Sequence, residues 1–242
     1  MTKIYKYELH RLLLNKFFAG LLVVTMIFSY LVMDSEIVLG VANTAPFSGW
    51  SFGAFLVAVL PVLLVTLLFF ITFLYSPNEK KVRAITDSSP ISPKKYALIR
   101  CASIATGFVF ISLAAIVVSL IFYTVLFRFT DFRGFIIPAL LVLIPAMLFL
   151  LGLGFTLGKF HPALLYILIP AVLLLPLLNL PYSVDLFSAS FFTDYPAALN
   201  TIEPSFSVPP SVLIGKFVYS AAGIFLILSG MMHFRKKPKE QN

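Results

Sequence analysis

The sequence predicts an all-α integral membrane protein with six transmembrane helices. Of its 242 residues, 60% are hydrophobic and only 12% are charged, whereas soluble domains carry about 25% charged residues. The mean hydropathy is +1.00. In addition, six long runs contain no Asp, Glu, Lys, Arg or His. These observations exclude an ordinary soluble domain and favour a multi-pass membrane protein.

Each predicted span follows from the length of its charge-free run. About 20 apolar residues, with a usual range of about 17–25, cross the ~30 Å hydrocarbon core as a helix. Five runs reach this length unaided. The last one reaches it if the helix begins near Ser211 and Lys216 extends its amine to the interface. Residues 1–242 therefore form one transmembrane domain, with spans at 17–33, 52–75, 101–127, 135–158, 163–180 and 211–232.

The distribution of Lys and Arg predicts the orientation. If the N-terminus is cytoplasmic, fifteen of the 18 basic residues fall on cytoplasmic segments, which include the loop 76–100 and the tail 233–242. The other three are Arg128, Arg133 and Lys216. By the positive-inside rule, both termini are cytoplasmic. The net charge of +8 then indicates anionic membrane lipid as a partner, and not nucleic acid, because the basic residues are dispersed along membrane flanks.

Residues 1–16 form a basic amphipathic segment before the first span. Tyr5, Leu9, Leu12 and Leu13 share one helical face. This spacing predicts a helix that lies in the cytoplasmic interface of the bilayer. The alternative is that the segment simply extends the first span as its positively charged flank.

Several Pro and Gly residues predict local features inside the spans. Pro61 removes one hydrogen bond from the second span, and Pro170 and Pro176 predict an irregular fifth span. Gly154 and Gly158 form a GxxxG pattern that lets another helix approach closely. The same pattern also arises by chance in a Leu-rich helix.

The extracellular loop 181–210 is rich in Pro and aromatic residues and contains no Lys or Arg. Such a loop is expected to pack at the membrane surface or to dip into it. Two interpretations stay open at this point. The loop either caps a translocation path or only closes the bundle.

The cytoplasmic loop 76–100 carries its own helix-start signals. Ser76, Pro77 and Glu79 match the N-cap, N1 and N3 positions of a capping box. They predict a short helix from about Pro77 to Ala84. A second Ser-Pro pair, at 92 and 93, predicts the start of the helix that leads into the third span. A segment with two helix starts is predicted to be folded and to contact a partner.

The chain lacks the residue patterns of common catalytic and cofactor sites. A single cysteine, Cys101, excludes an intramolecular disulfide, and His10, His161 and His233 lie far apart at predicted membrane boundaries. No HExxH or GxxxxGK[ST] pattern occurs. The single GxSxG match, at residues 49–53, lies at the start of the second predicted membrane span and not at the strand-to-helix turn that a hydrolase nucleophile requires. We therefore expect no catalytic residue, no metal site and no cofactor in this chain. The charge-free spans also disfavour an ion-coupled carrier, although backbone carbonyls at Pro breaks leave Na⁺ binding open.

The layout resembles the ABC-2 type permease subunits of bacterial ATP-binding-cassette exporters. The resemblance covers the basic N-terminal arm with Glu8, the six-span hydropathy, and the cytoplasmic segment Glu79–Ile85 followed by Ser89–Tyr96. In that family the cytoplasmic segment between spans two and three contains a turn that is similar to Pro90-Ile91-Ser92 in this chain. The resemblance implies an interfacial N-terminal helix, a coupling helix between spans two and three, and a multi-pass protein of the bacterial cell (inner) membrane.

The resemblance also implies partners and site residues. It implies two copies of a cytosolic ABC ATPase, which would hold ATP and Mg²⁺, and a second permease subunit, identical or paralogous. The substrate would be an amphipathic, peptide-like, drug-like or lipid-like molecule moved out of the cell. The implied coupling residues are Glu79, Lys80, Lys81, Val82, Arg83, Ile85, Pro90 and Ser92, and the implied interfacial residues are Tyr5, Glu8, Leu9, Leu12 and Leu13.

Two other functions fit the same sequence. A membrane scaffold or sensor would use the loop 76–100 to recruit a cytosolic partner without moving a substrate. An ion-coupled secondary carrier fits less well, because its coupling ion usually needs ionisable groups within the bundle.

Overall fold

The structure is a computed structural model that describes residues 2–75, 93–178, 180–199, 201 and 204–232. Within these residues the chain is helical and contains no β-strand. The α-helices of the described residues are α1 (Thr2–Leu13), α2 (Lys16–Val32), α3 (Gly49–Leu74), α4 (Pro93–Phe127), α5 (Ile136–Phe160), α6 (Ala163–Leu174), α7 (Ala189–Ala198) and α8 (Pro210–Met232). The predicted all-α class is confirmed for this part of the chain.

Five helical segments of the described chain are long and apolar enough to cross a membrane. They are Lys16–Ile37, Gly49–Leu74, Lys94–Phe127, Arg133–Phe160 and Pro210–Gly230. The predicted run 163–180 gives a shorter element, in which α6 is followed by a 3₁₀ turn at Leu175–Leu177. At 1.5 Å per residue, this element is about 22 Å long, which is less than the ~30 Å core. The described helical element of the predicted fifth span is therefore shorter than that core, and the count of six spans stays a prediction.

The ends of the long helices differ from the predicted spans by a few residues. The first span extends beyond α2 as a π-helical turn at Met33–Ile37. The second begins three residues before the predicted start, because the Ser48 hydroxyl accepts a hydrogen bond from the Ser51 backbone N–H and caps α3. α3 then continues through Pro61 as one helix. α4 is described from Pro93 onward, and the predicted helix start at the Ser-Pro pair stays a prediction because Ser92 lies outside the described residues.

α3 is the central helix of the bundle. It contacts α2, α4, α5, α6 and α7. Of its most apolar window, 72% is buried, whereas no other spanning segment exceeds 44%. A helix that is apolar on every face is stable only inside a packed bundle or in lipid. The outer helices keep exposed apolar faces, with side chains such as Val125 and Phe217 more than 70% exposed, and these faces suit a hydrocarbon surrounding.

α5 and α8 approach each other to backbone contact. A Cβ atom on Gly152 would run into the carbonyl oxygen of Gly223, and a Cβ on Gly223 would run into the backbone of Leu148. The predicted GxxxG residues lie on a different face of α5, where Gly154 packs against Ile71 of α3 and Gly158 against Tyr75, which follows α3. The backbone contact between α5 and α8 therefore depends on Gly152 and Gly223, which the GxxxG pattern did not include.

Candidate functional site

The predicted coupling segment lies between two described flanks. The eight coupling residues from Glu79 to Ser92 lie outside the described residues, as does the predicted short helix at 77–84. The described chain reaches Tyr75, which follows α3, and continues at Pro93, where α4 is first described. The candidate site is consequently defined by the contacts that hold these two flanks in the bundle.

A buried polar cluster holds the α4 flank against α1. The Tyr96 hydroxyl donates a hydrogen bond to Glu8 Oε1 at 2.8 Å, and Arg100 Nε lies 3.6 Å from the same oxygen. The Arg100 guanidinium also stacks over the Tyr96 ring, 4.4 Å from its centroid. Glu8 and Arg100 are each only 7% exposed. We call these three residues the α1–α4 cluster. Opposite charges that are this well buried stabilise a structure only when they remain together.

Additional contacts fix α1 along α4. The hydroxyl groups of Tyr5 and Thr106 lie 2.7 Å apart and form a hydrogen bond. Gly107 leaves room for Leu12, since a Cβ at that glycine would lie 2.6 Å from Leu12 Cδ2. The predicted interfacial residues Leu9 and Leu13 are half-buried. α1 is thus attached to α4 by polar and apolar contacts.

α1 and α2 are separate helices. α1 ends at Leu13, and the Asn15 side chain accepts a hydrogen bond from the Phe17 backbone N–H at 3.1 Å, which caps α2. Residues 1–16 therefore do not continue the helix of the first span without a break. The location of α1 in a membrane interface stays a prediction.

The α3 flank is fixed to α5. The Tyr75 hydroxyl donates a hydrogen bond to the Phe155 carbonyl oxygen at 2.9 Å. Gly158 makes room for the Tyr75 ring, because any Cβ there would collide with it. One residue further, Lys159 Nζ donates to the Gly230 carbonyl oxygen of α8 at 3.0 Å. The end of α3 is in this way connected through α5 to α8.

A small cavity lies beside the α1–α4 cluster. Its polar wall contains Glu8, Arg11, Asn15, Arg100 and Ser103, and its apolar wall comes from all four helices α1 to α4. Its volume is about 70 Å³, enough for about two water molecules at ~30 Å³ each. Ligand pockets usually measure about 300–1,000 Å³. The cavity is therefore smaller than a usual ligand pocket, and charged side chains of both signs line it.

At the opposite end of α3, the predicted loop 181–210 folds over the bundle. It contains α7, which the sequence did not predict. Trp50 is fully buried at the start of α3 and donates its indole N–H to the Pro204 carbonyl oxygen at 2.9 Å. Its ring contacts those of Phe191 and Phe206, with centroids 5.3 and 4.8 Å away. The described part of the loop closes this end of the bundle with aromatic packing.

Lys216 is buried beneath the loop that precedes α7, and its amine forms hydrogen bonds with backbone atoms of that loop. It is only 5% exposed. Its Nζ donates hydrogen bonds to the carbonyl oxygens of Asp185 and Leu186 at 2.9 and 2.6 Å. The Asp185 carboxylate in turn accepts a hydrogen bond from the Phe187 backbone N–H at 2.8 Å. Lys216 thus fixes the turn before α7 to the first part of α8, because these carbonyls offer it partners inside the fold.

The sequence pattern did not identify the partners of Glu8, although one feature indicates that Glu8 has a partner. Glu8 is the one acidic residue before Asp34, and an isolated carboxylate in a basic membrane flank is expected to have a paired cation. The spacing of Tyr96 and Arg100 gave no indication of that pairing, since they lie 88 and 92 positions further along the chain. Among the described residues, no group of three His, Cys, Asp or Glu side chains comes together to hold a metal ion.

Comparison of the chain with protein-family models, with curated protein sequences and with solved structures finds no match in any of the three. The function is therefore inferred from the geometry and from the sequence pattern alone.

Proposed function

We propose that this chain is the membrane permease subunit of an ATP-driven exporter of the ABC-2 type. It forms the translocation path together with a second permease subunit, identical or paralogous. Two copies of a cytosolic ATPase hold ATP and Mg²⁺ and supply the energy, and the chain itself is not an enzyme. The substrate is an amphipathic, peptide-like, drug-like or lipid-like molecule that leaves the cell.

The observation that carries the proposal is that both flanks of segment 76–92 are anchored to other helices. The α4 flank is fixed to α1 through Glu8, and the α3 flank is fixed to α5 through Tyr75. Displacement of a partner bound to this segment would therefore move several helices together. Conformational coupling requires packed elements of this kind that have alternative arrangements. A segment that served only as a solvated connection would not need such anchors.

The membrane topology belongs to the same proposal. Six crossings place both termini in the cytoplasm, and α6 with its 3₁₀ turn provides the shortest of them. A short helix can cross if the bilayer thins locally or if polar flanks extend to the interface, at a modest free-energy cost for each ångström of mismatch. The segment 76–92 then lies on the cytoplasmic side, where an ATPase is available.

Buried charged side chains of the described spans lie only near span ends, at Arg100 and Lys216, and this position supports an external energy source. Lys216 is buried, but both of its described partners are backbone carbonyls near one end of α8. A proton-coupled or cation-coupled carrier usually uses ionisable side chains near the middle of the bundle. ATP-driven transport has no such requirement, so it fits the chain better.

Co-purification tests the proposal. We expect the tagged chain, extracted from its native membrane, to retain a protein that contains a GxxxxGK[ST] phosphate loop. Charge reversal of Lys80, Lys81 and Arg83 to Glu should reduce this retention at least tenfold, because the basic surface of the predicted coupling helix is lost. Quantitative mass spectrometry of the eluates provides the measurement.

A matched control reverses the tail residues Lys236, Lys237 and Lys239, which changes the same number of charges on the same predicted side. This control should leave retention unchanged. Equal retention by both charge-reversed variants would contradict the docking assignment. Specific retention of a partner without a phosphate loop would instead support the scaffold or sensor.

A further inference from the structure

An open apolar groove runs between α4 and α5. It consists of a cavity of about 810 Å³ at the Arg133 end and a deeper one of about 290 Å³. The two cavities share Ile116, Ala139 and Leu140 in their walls, so they form one continuous groove. The groove extends from Arg133, in the 3₁₀ turn just before α5, to Met147 on α5, which corresponds to about 21 Å at about 1.5 Å per residue. It is therefore longer than one leaflet of the hydrocarbon core, about 15 Å.

Small side chains keep the groove open between the two helices. Ala139 on α5 and Ser112 on α4 lie in its wall, where larger side chains would fill the space. Behind them, Phe52 of α3 stacks on Phe135 with ring centroids 4.3 Å apart and separates the groove from the bundle core. The deeper cavity is lined almost entirely by aliphatic and aromatic carbon. Its chemistry therefore suits a hydrocarbon chain.

Charges of both signs stand at the mouth of the groove. Asp131 and Arg133 line the wider cavity, and both are exposed. The backbone N–H of Arg133 donates to Asp131 Oδ1 at 3.4 Å, which fixes the two residues next to each other. A phosphate would find a donor in the Arg133 guanidinium, whereas an amine would find an acceptor in the Asp131 carboxylate. This combination matches a head group that is itself zwitterionic.

We propose that the groove binds one zwitterionic phospholipid with a phosphoethanolamine head group. Its phosphate contacts Arg133, its ammonium group contacts Asp131, and one acyl chain lies between α4 and α5. The site is independent of the transport function proposed above.

Native mass spectrometry with defined lipids tests the site. The full-length protein is stripped of lipid in detergent and titrated with phosphatidylethanolamine or phosphatidylglycerol. We expect one phosphatidylethanolamine to bind, with at least tenfold preference over phosphatidylglycerol. Arg133→Gln should weaken binding of both lipids about tenfold. Asp131→Asn keeps the acceptor for the Arg133 N–H but removes the charge, so it should abolish the preference.

Two matched controls separate a specific site from general lipid contact. Arg128→Gln changes a neighbouring exposed cation that does not line the groove, and it should bind lipid as the wild type does. Ala139→Phe fills the groove and should prevent binding, whereas Ala221→Phe on the exposed face of α8 should not. Size-exclusion chromatography verifies the folding of each variant. The Arg133 and Asp131 variants change exposed side chains and test the site even if Ala139→Phe misfolds.

Two results would overturn the proposal. The first is equal binding of both lipids by the wild type and by the Asp131→Asn protein, which would mean that the head group is not recognised. The second is the same loss of lipid in Arg128→Gln as in Arg133→Gln, which would mean that lipid only surrounds the protein without a defined site.

Discussion

Replacement of Glu8 by alanine is expected to destabilise the protein by about 3–5 kcal/mol, the usual cost of removing one member of a buried ion pair. Arg100 would stay buried without its carboxylate partner, and Tyr96 would lose its hydrogen-bond acceptor. α1 should then detach from α4. Thermal unfolding in detergent measures the loss of stability, and hydrogen exchange of residues 2–13 reports the release of α1.

Two comparisons make the Glu8 result specific. Glu36→Ala removes an exposed carboxylate and should change stability by less than about 0.5 kcal/mol. A double-mutant cycle with Glu8→Gln and Arg100→Gln should give a coupling free energy of about 1–3 kcal/mol, because each residue stabilises the other. Additivity of the two single effects to within about 0.5 kcal/mol would show that the α1–α4 cluster does not join the helices.

Gly223→Ala is expected to destabilise the protein by about 1–3 kcal/mol or more, since overpacking a tight contact has this cost. The added methyl group would run into the backbone of Leu148 and Phe149. Backbone atoms cannot move away as a flexible side chain can. α5 and α8 would have to separate along their whole contact. The thermal midpoint and the monodisperse fraction after detergent extraction measure this effect.

The same substitution at Gly20 provides a control with the opposite sign. A Cβ at Gly20 of α2 has no neighbouring atom within 4 Å. Gly→Ala in a helix interior normally stabilises the helix by up to about 1 kcal/mol. Gly20→Ala should therefore be neutral or stabilising, whereas Gly223→Ala is destabilising. Equal effects of the two substitutions would contradict the backbone contact between α5 and α8.

The long helices were predictable because few backbone structures are stable inside a bilayer. A long apolar run without charge has to satisfy its backbone polar groups internally, and a helix does so within one segment. The irregular fifth span was predicted from Pro170 and Pro176, which lack backbone N–H donors. In the structure, α6 gives way to a 3₁₀ turn that contains Pro176. The length of the apolar run alone does not show where the α-helix ends.

The missed contacts are those that join distant parts of the chain. α7 has no side-chain cap, and Ser188 before it has a left-handed backbone with φ of 67°, so no start signal marked the helix. The GxxxG spacing directed attention to Gly154 and Gly158, but Gly152 meets Gly223 on another face of α5. A local pattern shows which residues share a helical face. It does not show which helix will lie against that face.

The central claim is that an external ATPase acts on this chain through segment 76–92. ATP hydrolysis by the complex that is purified through the tagged chain and placed in lipid nanodiscs tests this claim most directly. The account predicts hydrolysis with the wild-type chain and at least a tenfold lower rate after reversal of Lys80, Lys81 and Arg83, with no change after reversal of Lys236, Lys237 and Lys239. Absence of hydrolysis with a folded wild-type chain, or equal rates with both charge-reversed variants, would contradict it.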